Sequence, residues 1–324
     1  MVFKKLLGAL GMGGPSVDTV LHHPHVRPGE NLIGEVRLTG GNQDVDVEHV
    51  ALGFVTSIET EHDEHAGVEF HRAVVAGRFQ LREGENKTIP FELPVPWETP
   101  ITSVHGQHLH GMTLGVRTEL AIAKVADKGD LDPFSVEPLP AQEKVLEAFS
   151  QLGFHFKSAD LEHGHLHGLH QELPFFQEIE FFPAPQFAGR INEVELTFIT
   201  GPHGMDVVLE ADKRSGLFTP RQDAFGRLHV THDEALTTDW ARHITNWLEQ
   251  VIEHRGAMGH GGEFAHHPEH GHQGYGHYED DHRRGSGMGG VIAGAALGAG
   301  AGIVGGMVAG EIIEEIFEDD EEEF

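Results

Sequence analysis

No cysteine occurs anywhere in the 324-residue chain, which excludes disulfides, thiolate nucleophiles, cysteine-ligated zinc and prenyl or palmitoyl attachment. Such a chain suits a reducing compartment. Basic residues are scarce: 22 Lys and Arg stand against 52 Asp and Glu, a formal charge of -30 with His neutral. A surface of that sign repels nucleic-acid phosphate, so no nucleic-acid partner is expected. Catalytic signatures are missing too, with no G-x-S-x-G, no Walker-type G-x-x-x-x-G-K-[ST] and no dinucleotide fingerprint opening a helix. No enzymatic activity and no cofactor are expected. The opening MVFKKLLGALGMGG lacks the sustained apolar region and cleavage site of a signal peptide. Its Val2, Phe3, Leu6, Leu7 and Leu10 suit one face of a short helix docked on a core. The expected location is cytoplasmic.

What the chain does have is length, apolar content and histidine. With 39% hydrophobic residues it can bury sizeable cores, and its length favours two domains. Its 27 histidines, if mostly protonated below about pH 6, would nearly cancel the negative charge. From Ser16 to about Val125 apolar residues alternate with polar ones, the period of antiparallel strands with one buried face. In NLIGEVRL, Leu32, Val36 and Leu38 share a face; in VALGFVTSI, Val50, Leu52, Phe54 and Ile58 do; in LGVRTELAIAKV, Leu114, Val116, Leu120 and Ile122 do. Turns at 28–30, 39–42 and 82–86 separate such runs, which predicts a β-sandwich. Pro90, Pro94, Pro96 and Pro100 place IPFELPVPWETP at an edge or a crossover, because proline cannot donate to a central ladder.

After DKGDLDPF, the spacing of Val145, Phe149 and Leu152 behind Pro140 predicts a short helix. A second β-rich set follows in LPFFQEIEFFP, RINEVELTFI and MDVVLEAD. It closes with an amphipathic helix carrying Trp240, Ile244, Trp247, Leu248 and Val251, and Arg255 is expected to end the folded body. Trp97, Trp240 and Trp247 lie within apolar patterns, which points to core packing rather than partner anchoring. The Gly- and His-rich stretch beyond has too few apolar groups to offset the ordering of the chain.

Several segments in order, PGENLIGEVRLTGG, FELPVPWETPIT, LGVRTELAIAKVADKGDLDP, LGFHFKSADLEHG and LPFFQEIEFFP with INEVEL, resemble the SpoOM family of bacterial sporulation-control proteins. The likeness runs from about Phe3 to about Trp247 and leaves out the tail from Gly256. It implies an arrestin-like, all-β fold of two tandem β-sandwich domains with short helices, and a non-catalytic regulatory or adaptor role in sporulation or related development and stress. It brings no catalytic residues. The organisation expected is an N-terminal sandwich at 1–135, a linker helix at 136–155 and a C-terminal sandwich with its closing helix at 156–255. A His/Gly-rich linker at 256–287 and a glycine-zipper helix with an acidic end at 288–324 would follow.

Three sets of residues invite a metal reading. Asp127, Asp130 and Asp132 in DKGDLDP offer oxygens to Ca²⁺, but Gly129 and Asp132 break the EF-hand spacing, and a solvated interdomain turn is the plainer expectation. His163, His165 and His167 would share a face if extended and could bind Zn²⁺ or Ni²⁺, whereas the glycines around them favour an exposed turn. His266, His267 and His270 belong to HHPEH, which fits H-x-x-E-H only formally, since Pro268 denies it the helix a zinc peptidase needs. A metal-binding enzyme is the least favoured function.

The last feature is an uncharged run from Met288 to Gly310, in which Gly290, Gly294, Gly298, Gly302, Gly306 and Gly310 recur every fourth residue. On a helix they form a groove that lets another helix approach closely. Self-association through this zipper is one expectation. Membrane contact or a tail anchor is the alternative, because about 20 uncharged residues suffice to span a bilayer, although the many glycines make insertion marginal. The partners expected overall are other proteins.

Overall fold

In the computed structural model of the chain, residues 13–59, 65–123, 128–212 and 225–259 are described. The first half holds β1 (Ser16–Leu21), β2 (His25–Val26), β3 (Asn31–Thr39), β4 (Val45–Glu59), β5 (His65–Ala76), β6 (Phe79–Leu81) and β7 (Asn86–Pro94). It continues with β8 (Ser103–Val104), β9 (Gln107–His108), β10 (Leu114–Ile122), β11 (Lys128–Pro133) and β12 (Ser135–Val136). Helix α1 (Pro140–Leu152) leads to β13 (His155–His163), β14 (Phe175–Phe182), β15 (Val194–Thr200), β16 (Gly204–Ala211) and β17 (Phe225–Thr231), then α2 (His232–Thr237) and α3 (Trp240–Gly259). The chain is mostly β, as expected.

The alternation places the strands of the first half. Leu32, Val36 and Leu38 of β3 face inward while Asn31, Ile33, Arg37 and Thr39 face water. Strands β1, β3 and β7 form one antiparallel sheet, and β11, β10 and β4 run through a second in which β5 and β6 line the far edge of β4. The two sheets share a core that includes Leu38, Phe91, Leu52, Phe54, Val116 and Leu120. Burying that apolar area, at about 25 cal/mol per Å² removed from water, is what holds them face to face. The proline-rich run behaves as its chemistry requires, since β7 with Pro90 is the outer strand of the three-stranded sheet.

DKGDLDP departs from the expected turn. Lys128–Pro133 is the outer strand β11, antiparallel to β10 from Gly115 to Leu120. Pairing with β10 outweighs the poor strand propensity of Asp and Gly.

The large sheet does not stop at the first half. Glu59, at the end of β4, pairs in parallel with Glu162 of β13, and β13, β14, β15, β16 and β17 follow in antiparallel order. Helices cover one face of this part. Phe149 of α1 stacks on Phe181 of β14 at 4.4 Å, and Gln142 Nε2 donates to Thr200 Oγ1 of β15 at 3.2 Å. Trp247 of α3 lies where a side chain at Gly226 of β17 would be. Among the described residues the layer over these strands is therefore helical, and a second sheet is not seen there. A small cluster of Leu166, Phe176, Ile199 and Val208 covers the opposite face.

Local sequence accounts for the helix ends. Pro140 opens α1, Gln142 Oε1 accepts from the Leu139 N–H at 2.8 Å, and Gly153, with φ 88, closes it. On α3, Trp240, Ile244, Leu248 and Val251 are the buried face, and the helix continues past Arg255 to Gly259. No helix among the described residues is long and apolar enough to cross a membrane.

Candidate functional site

Side chains and backbone groups of the two halves meet at the junction between them. Gln177 of β14 uses its side-chain amide as a strand would use its backbone: Oε1 accepts from the Ile101 N–H at 3.0 Å, and Nε2 donates to the Ile101 carbonyl at 2.7 Å. Glu98 accepts from the backbone N–H groups of Glu172 and Leu173, each at 2.8 Å. Burial nonetheless pushes the Glu98 carboxyl above its ordinary range. Ala159 N–H donates to the His110 carbonyl at 3.1 Å, and Phe70 meets Phe175 edge-on at 5.5 Å. Trp97, half-buried, packs over Gly29 and stacks with His232 at 5.9 Å. Beside this junction lies a cleft of about 430 Å³ between Leu109, Leu146 and Phe156, floored by Phe154, Ile179 and Phe181.

The outward face of β13 to β16 is strongly acidic. Glu180, Glu195 and Glu210 stand directly opposite one another on three adjacent strands. Lys157 enters this row, its Nζ 2.5 Å from Glu193 and 3.1 Å from Glu180. The bond to Glu193, opposed by burial and joined by Glu180, holds the lysine above its ordinary pKa. Two sets of carboxylates bring one oxygen each to within 4.8 Å: Glu180, Glu193 and Glu195, and at the β4–β13 bridge Glu59, Asp160 and Glu162. Oxygen donors of this kind suit hard cations such as Ca²⁺. In the first set the ammonium of Lys157 already supplies positive charge.

The residues singled out from sequence are distributed differently. His163 ends β13 and is exposed, as are His165 and His167 in the following turn, where Leu166 between them is buried. None of the three belongs to either clustered set. Asp130 and Asp132 do come together on β11, and the structure adds Asp18 of β1, which sequence reasoning missed. Asp127, His266, His267, His270 and the glycines from Gly290 to Gly310 lie outside the described residues. The carboxylate sets were also missed. Their members sit on strands far apart in sequence, and only the pairing register aligns them.

A family model described as SpoOM protein matches residues 3–215. The chain is 34% identical over 219 residues to the sporulation-control protein spo0M of Bacillus subtilis (strain 168), covering 66% of this chain and 81% of that one. Its fold is similar to the crystal structure of Spo0M from Bacillus subtilis, with a TM-score of 0.66, 29% sequence identity, and coverage of 74% of this chain and 100% of that one. Neither name denotes a catalytic activity. The ordered match over residues 3–215 and the identity across two thirds of the length lead to one assignment: the chain belongs to the SpoOM family.

Proposed function

We propose that this chain is a non-catalytic regulator of sporulation, or of a related developmental or stress response, that works by binding other proteins. The observation that carries this reading is the 34% identity to a protein named for sporulation control. The two halves are read as tandem arrestin-like domains, with 136–155 as the connecting element and 156–255 as the second domain. The two packed sheets of the first half support that reading for the first domain. A rigid body joined by polar clamps suits a protein that presents surfaces, since relative movement of its parts would spoil them.

The tail enters this reading as a means of assembly. The four-residue glycine ladder from Gly290 to Gly310 is assigned to self-association, and recruitment to a membrane is the rival. Deleting the gene should alter sporulation or stress survival, and the intact gene should restore it; an unchanged phenotype under both conditions would sink the regulatory reading. Comparing the full chain with one lacking residues 285–324 separates the two roles of the tail. A fall in sedimentation-derived mass supports assembly, while unchanged mass with loss of membrane pelleting favours the anchor.

A further inference from the structure

Strand β1 is the outer strand of the three-stranded sheet and β11 the outer strand of the large one, and they run side by side where the first half closes. Among the described residues β1 pairs only with β3, and β11 only with β10. Side chains join them instead. The outward N–H of Thr19 donates to Asp130 Oδ2 at 2.9 Å, and the hydroxyls of Thr19 and Thr118 lie 2.6 Å apart.

Asp130 and Asp132 are two residues apart on one strand, so they share a face. Their register partners are Thr118 and Val116, both fully buried, which makes this the inward face. The two carboxyls therefore lie side by side, and Asp132 Oδ2 is enclosed with no hydrogen-bond partner among the described residues. Asp18 of β1 adds a third negative group. Two nearby cations are engaged elsewhere. Arg37, opposite Asp18, bridges Glu35 at 2.6 Å, and Arg117 of β10 reaches Glu69 and Glu119 at 3.8 and 3.6 Å. Lys128 begins β11 two residues before Asp130. A carboxyl can donate to another carboxyl only while it is protonated. Burial first, then the charges of Asp130 and Asp18, push Asp132 up to about 8.

We propose that the Asp130–Asp132 pair is a proton latch on the β1–β11 seam, closed while the two carboxyls share a proton and released when that proton leaves. On release the O–H bond of Asp132 breaks and the proton passes to water. Two adjacent carboxylates then repel each other and Asp18, the hold of Asp130 on the Thr19 N–H weakens, and the outward edge of β1 is freed. A freed strand edge is a place where another strand can add.

The direction follows from proton counting. The closed seam keeps a proton that the open one, with Asp132 back in water at its ordinary acidity near about 4, has lost. Opening therefore becomes easier as pH rises from about 4 to about 8, by at most about tenfold per unit, and levels off above. The test is hydrogen exchange of the Thr19 amide in the full chain between about pH 5.5 and 9, corrected for intrinsic base catalysis. Protection should fall by up to about tenfold per unit and then flatten near about 8. Asp132→Asn, whose amide donates to Asp130 without titrating, should keep the protection and lose the slope. The exposed change Asp18→Asn should move the upper bend to lower pH without touching the core. Flat wild-type protection, an unchanged slope in Asp132→Asn, or an unmoved bend in Asp18→Asn would overturn the latch.

Discussion

Gln177 pairs through both ends of its amide with the backbone of Ile101, so Gln177→Leu should unlock the junction between the halves. Ile101 is 1% exposed and Gln177 8%, which leaves no room for water to replace the lost bonds. Each buried backbone group left unsatisfied costs about 1–3 kcal/mol, and leucine regains about 1 kcal/mol of apolar burial. The net loss should be about 2–4 kcal/mol. In a body of this size each kcal/mol shifts the melting midpoint by about 2–4 °C, so Tm should fall by roughly 5–15 °C. Guanidinium unfolding followed by fluorescence and circular dichroism measures the same loss and shows whether one transition persists. Gln177→Glu should fare worse near neutral pH, because it keeps the acceptor, loses the donor and buries a charge. A Gln177→Leu protein within about 0.5 kcal/mol of wild type would refute the clamp, since that is the scatter of ordinary surface changes.

His71 lies beside Phe54, ring to ring at 5.1 Å, with Nε2 buried and without a hydrogen-bond partner among the described residues, and burial lowers its pKa. The unfolded chain then binds the extra proton, so its contribution to stability is present above about pH 6.5 and is lost as pH falls toward the lowered folded value. His71→Leu should compare better with wild type at pH 5 than at pH 7.5 in thermal melts; a gap that does not change with pH would count against this. Gly111 has φ +92, and a Cβ there would meet the Ala159 carbonyl at 2.1 Å. Gly111→Ala should therefore destabilise by about 2 kcal/mol or more through combined backbone strain and collision, and an unchanged denaturation midpoint would contradict it.

Alternation made β3, β4 and β10 readable, because a one-residue slip would turn Leu32, Val36 and Leu38 to solvent. The edge position of Pro90 and the buried faces of α1 and α3 were readable for equally local reasons. Strand β13 was hidden from pattern reading, since three exposed residues open HFKSADLEH and only Ala159 and Leu161 are buried. DKGDLDP looked like a turn by composition, yet β10 supplies a partner edge that no local propensity reveals. The site features obeyed the same divide. Thr19 meets Asp130 across 111 positions of sequence, and Ile101 meets Gln177 across 76. Such contacts exist only once the sheets are closed.

The fifteen-residue strand β4 pairs with β10, β5, β6 and β13, all of them later in the chain. During synthesis, β5 can fold back on it at once as a hairpin, but its other edge must wait for β10 and then for Glu162. At about 5–20 residues per second, the ribosome takes on the order of ten seconds to carry the chain from Glu59 to His163. Until β10 emerges, the run of this strand from Val50 to Thr56, buried once folded, presents one open edge. The sheet that unites the two halves thus also makes the first half a slow folder, dependent for its last pairing on residues from the second.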